Sequence, residues 1–199
     1  MENSNNKNKI ESVHRTKLNA TKNLPPLEPT TIVCYRWANI DPNKEKQYKT
    51  IRWRLVNRPE ADMVGVQYRL GGDPFDEDLT VYNASHWIFD KTNITKKGDV
   101  LPGLLGYEVD GMHSDRTNQG YSIQKLFETP VTSRAAADML CHGTIYHTLK
   151  SFVFASGSMQ WSWGLDDFNV YQKVRSSRLN RNVHIITWNL LKAAGIQPK

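Results

Sequence analysis

Residues 153–167, with the sequence VFASGSMQWSWGLDD, most constrain what this chain can fold into. The stretch begins as an apolar strand and breaks at Ser156-Gly157-Ser158, where small residues let the backbone approach another group closely. Trp161 and Trp163 follow with a spacing of two, which would place both indoles on one face of a continuing strand. We therefore predict that a strand ends here at the rim of a pocket with rigid aromatic walls.

A second stretch of this kind lies upstream at residues 101–111, with the sequence LPGLLGYEVDG. Glu108 follows Tyr107 inside this otherwise apolar run. A carboxyl group buried among apolar neighbours holds its proton more tightly and can exchange it near neutral pH. The alternative is that Tyr107 and Glu108 lie on opposite faces of a strand, with Glu108 simply in solvent. The two stretches together form the candidate site.

Length and composition indicate one globular domain of ordinary size, preceded by a tail. The chain has 199 residues, 39% of them hydrophobic, and no apolar run approaches the roughly 20 residues that span a bilayer. Residues 1–29 are polar and end in a proline-rich segment, so we predict a flexible leader at 1–29 and a domain over 30–199. Cys34 and Cys141 support no disulfide framework and are expected in the core. A reduced, cytoplasmic protein without membrane contact is the expectation.

The net charge of +6 is concentrated at the carboxy-terminal end. From residue 168 onward there is no acidic residue, and the basic residues there equal the whole net charge. No recognised nucleic-acid motif accompanies them. We therefore favour a solvent-exposed stretch that leads into a helix (a solvated helix entrance) over nucleic-acid binding. These residues are Lys173, Arg175, Arg178, Arg181, Lys192 and Lys199.

The pattern of short strands and one helix predicts an α/β or α+β domain. Apolar residues at helical spacing predict a helix over 182–194 that stops at Gly195. A strand at 145–149 is expected to pair with 152–155 across a turn at 150–151. Loops are predicted at 71–74 and 96–99, a short helix or linker at 133–140, and further strands at 31–37, 50–55, 63–69, 103–109 and 123–128.

Other catalytic signatures are absent from the sequence. His142 and His147 are five residues apart, which fits no common zinc spacing, so a metal site built from this chain alone is not expected. No nucleophile elbow, phosphate-binding loop or dinucleotide fingerprint occurs. His86, beside Trp87, is the histidine with a conceivable pocket role.

Several segments, in order, resemble one known family. They are NASHW at 83–87, LPGLLGYEVD at 101–110 and FASGSMQWSWGLDD at 154–167, with CYR at 34–36 and RPEA at 58–61. In these segments the chain is similar to the carboxy-terminal region of the N,N-dimethylformamidase large (beta) subunit and its relatives. The resemblance covers about residues 31–196.

This resemblance implies a fold and an activity. The fold implied is the last part of a class I glutamine amidotransferase-like, flavodoxin-type α/β domain, β-rich and with a carboxy-terminal helix. The activity implied is hydrolysis of linear amides, in which an iron held by tyrosinates and a glutamate activates water. The family's His-x-Glu-Tyr-Trp type of motif is missing here, so we expect no cofactor on this chain alone and iron in the complete enzyme.

The resemblance also assigns roles to residues. Glu108 matches a glutamate near the family's active site and is the candidate acid–base group, while the candidate substrate-binding residues are Tyr107, Gln160, Trp161, Trp163 and His86. The chain would be a fragment that is inactive alone, takes a small amide-like ligand, and needs a separate chain carrying the metal-binding half. The alternatives are a non-catalytic ligand- or carbohydrate-binding module using Trp161 and Trp163, and a purely structural remnant.

Overall fold

The computed structural model describes residues 44–45, 53–113, 120–131, 139–168 and 176–196. The chain divides into two units, residues 1–59 and 60–199. In the first unit, Trp53–Val56 forms a short 3-10 helix, so the strand predicted over 50–55 is wrong from Trp53 onward. The leader at 1–29 and the strand predicted at 31–37 lie outside the described residues.

The second unit begins with a short helix and a two-stranded sheet. Helix α1 is Ala61–Val64, strand β1 is Gln67–Thr80 and strand β2 is Val100–Gly111. The strands run antiparallel, from the pair Gln67 and Gly111 to the pair Thr80 and Val100. The strand predicted at 103–109 is confirmed, whereas the strand predicted at 63–69 starts only at Gln67 because α1 precedes it.

The pairing of β1 with β2 contains a large bulge. Gly71 lies opposite Glu108, and Asp76 lies opposite Gly106. Between these pairs, the four residues 72–75 of β1 correspond to the single residue Tyr107 of β2. The loop predicted at 71–74 is thus part of an irregular strand. Extra residues on one strand bend it and change where the opposite side chains point.

A second sheet contains three antiparallel strands in the order β3-β4-β5, which are Gln124–Val131, Met139–His147 and Phe152–Ala155. The strand predicted at 123–128 and the hairpin around residues 150–151 are confirmed. Of the predicted segment 133–140, residues 133–138 are not described, and Met139 and Leu140 begin β4. Single bridges link Val81 to Phe127 and Val109 to Ser158.

Two short 3-10 helices and the carboxy-terminal helix complete the fold. We call Trp87–Phe89 the Trp87 turn and Met159–Gly164 the tryptophan turn. Helix α2 is Arg181–Ala193 and ends before Gly195, as predicted. The Asn180 side chain accepts a hydrogen bond from Asn182 N at 2.9 Å, which satisfies one of the free N–H groups at the start of α2.

The core of the second unit lies where both sheets meet α2. Leu104, Phe127, Ile145 and Ile186 are fully buried there. Cys141 is also buried in this core, as predicted, and burial raises the pKa of its thiol. The result is a strand-rich mixed fold with two small antiparallel sheets and a carboxy-terminal helix. No helix among the described residues is long and apolar enough to span a bilayer.

Candidate functional site

The tryptophan turn is fixed to β2 and β4 by its small residues. Ser158 Oγ accepts hydrogen bonds from Gly106 N and Gln160 N, both at 3.1 Å. Gly157 has a φ of +76°, and a Cβ there would lie 2.2 Å from the carbonyl oxygen of His142. The small residues do permit a close approach, but in this structure the group that they approach is the backbone of β4.

Trp161 and Trp163 do not share a face. The strand ends at Ala155 and a 3-10 helix follows, in which side chains two residues apart point in directions about 120° apart. Trp161 packs against Phe127 and Phe154, with ring centroids 5.8 and 5.5 Å away. Trp161 Nε1 also donates to Thr187 Oγ1 at 3.3 Å. The expectation of two parallel indoles on one strand is therefore wrong, and Trp161 packs against the core.

Tyr107 and Trp163 pack against each other beside β2, and Glu108 follows Tyr107 in that strand; we call these three residues the Tyr107 surface. The Tyr107 ring meets Trp163 edge-on, with centroids 5.9 Å apart, and is 56% exposed. Its φ is +67°, a conformation that costs a non-glycine residue roughly 1–3 kcal/mol. Because this residue breaks the alternation of the strand, Tyr107 and the following Glu108 are both exposed.

The exposure of Glu108 bears directly on its predicted role. Acid–base tuning by burial requires apolar cover, and the described part of the chain leaves the Glu108 side chain exposed, as in the alternative interpretation of the sequence. A bound ligand or a further polypeptide segment would supply such cover.

Gln160 is buried, with 2% exposure, and joins the tryptophan turn to the β1–β2 hairpin. Its amide nitrogen donates to Asp76 Oδ1 at 3.1 Å and to the Gly103 carbonyl at 2.9 Å, in the amide orientation that satisfies both atoms. Asp76 also pairs with Arg178. Gln160 is thus committed to internal contacts.

His86 lies on the Trp87 turn. Its Nδ1 accepts a hydrogen bond from Ile88 N at 3.4 Å, and its ring centroid is 5.3 Å from that of Trp87. Burial and the neighbouring His147 lower the pKa of His86, so the neutral ring is favoured. The structure therefore gives His86 a capping role at the Trp87 turn.

A groove that the sequence interpretation missed lies between the Trp87 turn and α2. Its volume is about 570 Å³. The signal for it was present in the sequence, because several of its residues recur at helical spacing on a face of α2 that differs from the core face. The groove is lined by Trp87, Asp90, Lys91, Arg181, Ile185, Trp188, Asn189, Lys192 and Ala193.

Direct contacts connect the titratable side chains of His142, Glu128 and Lys125. His142 Nδ1 accepts from Met112 N at 3.1 Å, and its Nε2 lies 3.3 Å from Glu128 Oε2. Glu128 pairs with Lys125, which lowers the pKa of the carboxyl group. Among the described residues, no group of three or more His, Cys, Asp or Glu could hold a metal ion.

A comparison with protein families finds one whose model matches residues 12–175. That family is described as "N,N-dimethylformamidase beta subunit-like, C-terminal". The matched range contains the five strands that the structure describes and the tryptophan turn, while α2 lies beyond it. No curated protein matches the chain.

Proposed function

Because the chain belongs to the N,N-dimethylformamidase beta subunit-like C-terminal family, we propose that it is the carboxy-terminal part of an amide-hydrolysing enzyme whose active site another polypeptide completes. The observation that carries this proposal is the Tyr107 surface. It combines a strained, exposed aromatic residue and the carboxylate that follows it on β2 with an indole from the tryptophan turn.

The strain at Tyr107 supports a functional role for this surface. Such a conformation persists only where the surroundings enforce it, and strained residues cluster at functional sites. Here the irregular stretch of β1 lies opposite Tyr107 in the strand pairing, and the ring of Trp163 packs against its side chain. A partner polypeptide that covered the surface would bury the Glu108 carboxylate, which would then hold a proton more tightly.

In the proposed reaction, water adds to the carbonyl carbon of a linear amide. Glu108 accepts a proton from the attacking water as the O–C bond forms and returns it to the leaving nitrogen as the C–N bond breaks. Tyr107 and Trp163 would supply the flat walls that position the amide plane.

Three further expectations remain predictions. They are the glutamine amidotransferase-like fold of the complete domain, the cytoplasmic location, and the iron of the complete enzyme.

Two of the candidate substrate-binding residues, Gln160 and His86, make internal contacts. In this proposal they hold the tryptophan turn and the Trp87 turn in place.

Co-expression with the products of neighbouring reading frames tests the proposal. We expect the chain alone neither to hydrolyse N,N-dimethylformamide nor to retain iron, and a copurifying assembly to release dimethylamine. In that assembly Glu108→Gln should lower kcat by about 100-fold, whereas Glu60→Gln, at the start of α1, should leave it unchanged. One tightly bound iron per isolated chain, or an unchanged kcat for Glu108→Gln, would overturn the proposal.

The ligand-binding alternative requires a different aromatic pair from the one that the sequence suggested. Trp161 packs against Phe127 and Phe154, so a stacked ligand would have to use Tyr107 and Trp163. A fluorescence titration with oligosaccharides tests this alternative. Saturable binding that Trp163→Ala abolishes, in a chain that shows no hydrolysis in any assembly, would favour it.

A further inference from the structure

Helix α2 has a second face beside the one that it packs into the core. Val183, Ile186 and Leu190 are buried. Arg181, Ile185, Trp188 and Lys192 follow one another at intervals of four, three and four residues, which places them along a different side of the helix. These four residues form one wall of the groove.

Hydrogen bonds hold the two walls of the groove in a fixed arrangement. Asn189 Nδ2 donates to the carbonyl oxygens of Ile88 and Asp90, both at 2.9 Å. Asn93 N donates to Asn182 Oδ1 at the other end of the contact, also at 2.9 Å. Because α2 is held against the Trp87 turn by these contacts, the groove is a preformed feature of the fold.

The groove is cationic at its rim and apolar at its middle. Lys91, Arg181 and Lys192 are exposed, and within the described parts of the chain none of them forms an ion pair. Asp90 is the acidic residue among the lining residues, which leaves the groove with two excess positive charges. Both features suit a ligand that carries carboxylates on either side of an apolar group.

The apolar part of the groove is aromatic. The indoles of Trp87 and Trp188 and the side chain of Ile185 all line it. Trp188 is 38% exposed, an unusual exposure for a side chain that gains so much from burial. Tryptophan and arginine are both enriched among the residues that dominate the binding energy of protein interfaces.

The dimensions of the groove favour an extended peptide. Arg181 and Lys192 are 11 residues apart on a helix that rises 1.5 Å per residue, so they are separated by about 16 Å along the axis. An extended chain covers that distance with about five residues. We propose that the groove binds a short acidic segment of a partner protein, whose carboxylates pair with Arg181 and Lys192 and whose central aromatic or aliphatic side chain packs on Trp188.

This proposal is independent of amide hydrolysis, because it uses none of the residues of the Tyr107 surface. Charge also argues against residues 1–29 of the same chain as the occupant. That segment has five Lys or Arg and three Glu, a net charge of +2, which the cationic rim would repel.

A displayed library of random heptapeptides, selected on the immobilised full-length chain, tests the proposal. We expect enriched sequences with acidic residues on both sides of a large apolar residue. A synthetic peptide of the enriched consensus should quench tryptophan fluorescence. The double variant Arg181→Glu, Lys192→Glu should weaken its binding by about tenfold or more.

Matched variants separate the groove from general charge effects. Lys150→Glu reverses an exposed lysine in the turn between β4 and β5 and should leave binding within about twofold. Trp188→Ala should weaken binding, and Glu108→Gln should not change it. Thermal melts monitored by circular dichroism confirm that each variant is folded.

Four results would overturn the proposal. The first is no enrichment over the bare support, and the second is an enriched consensus without acidic residues. The third is an equal loss of binding in Lys150→Glu and in the double variant, since net charge alone would then explain the interaction. The fourth is retention of the chain on phosphatidylserine vesicles through the same residues without peptide binding, which would identify the groove as a lipid-binding surface.

Discussion

Gly157 lies just before the tryptophan turn, where the chain crosses the backbone of β4 with no room for a side chain. Its φ of +76° is unfavourable for other residues, and an added Cβ would lie 2.2 Å from the His142 carbonyl oxygen. Gly157→Ala should therefore lower the free energy of unfolding by about 3 kcal/mol or more. Gly98 is the matched control, because its φ is +94° with open space around a Cβ, and Gly98→Ala should cost about 1 kcal/mol.

Urea unfolding of both variants measures the difference. If Gly157→Ala lost no more stability than Gly98→Ala, the close crossing of the tryptophan turn over β4 would be refuted.

The individual site residues show where sequence reasoning succeeds. That Glu108 follows an aromatic residue in an apolar run was evident, but alternation along a strand predicted opposite faces for the pair. The left-handed backbone at Tyr107 breaks this alternation, and Tyr107 lies opposite the irregular stretch where β1 has three more residues than β2. The sequence pattern of one strand does not show how its residues pair with those of the neighbouring strand.

The hydroxyl group of Ser158 holds the start of the tryptophan turn against β2. Ser158 Oγ is buried and accepts from Gly106 N and Gln160 N. Ser158→Ala would leave both N–H groups without that acceptor, so we expect a loss of about 2 kcal/mol in the free energy of unfolding. Ser162 lies on the same turn and is exposed, and among the described residues its hydroxyl donates to the Met159 carbonyl at 3.4 Å. Ser162→Ala should cost about 0.5 kcal/mol or less.

Chemical denaturation with fluorescence detection compares the two serine variants. Equal losses would show that the turn is held by its tryptophan packing and not by the serine cap.

The helices and strands that depend only on neighbouring residues could be predicted from the sequence. Helix α2 follows from its apolar spacing, and the β4–β5 hairpin follows from two apolar runs around a short polar turn. The tryptophan turn was not predictable in this way, because its 3-10 conformation depends on hydrogen bonds to β2, some 50 residues away. The strand predicted over 50–55 is wrong from Trp53 onward for a related reason. Alternation of apolar and polar residues over only six positions also occurs in segments that are not strands.

At the scale of the whole molecule, the sequence contains the helical spacing of one wall of the groove but not the groove itself. Its residues come from two segments separated by about 90 positions, the Trp87 turn and α2. The basic carboxy-terminal region was recognised as a solvated helix entrance, and Arg181 and Lys192 do lie exposed on α2. Which apolar residues accompany those cations is decided by how α2 packs, and that depends on the core as a whole.

One buried and one half-buried histidine, His142 and His86, link the stability of the molecule to pH. His142 Nδ1 and His86 Nδ1 each accept a backbone N–H, from Met112 and Ile88 respectively. Protonation at Nδ1 would break that hydrogen bond. Burial lowers the pKa of both rings from the ordinary 6.5, and for His142 the opposing influence of Glu128 is the smaller effect.

Acidification should therefore destabilise the protein. Between the lowered pKa of the folded state and the ordinary pKa of 6.5, the unfolded chain binds more protons, so the free energy of unfolding falls as the pH drops below about 6.5. His142→Asn keeps an acceptor oxygen for Met112 N and cannot titrate, so its stability should decrease less between about pH 7.5 and pH 5. His184→Asn, on the exposed side of α2, should retain the full decrease. Urea titrations across this pH range measure all three proteins, and a wild-type slope in His142→Asn would show that acid sensitivity arises elsewhere.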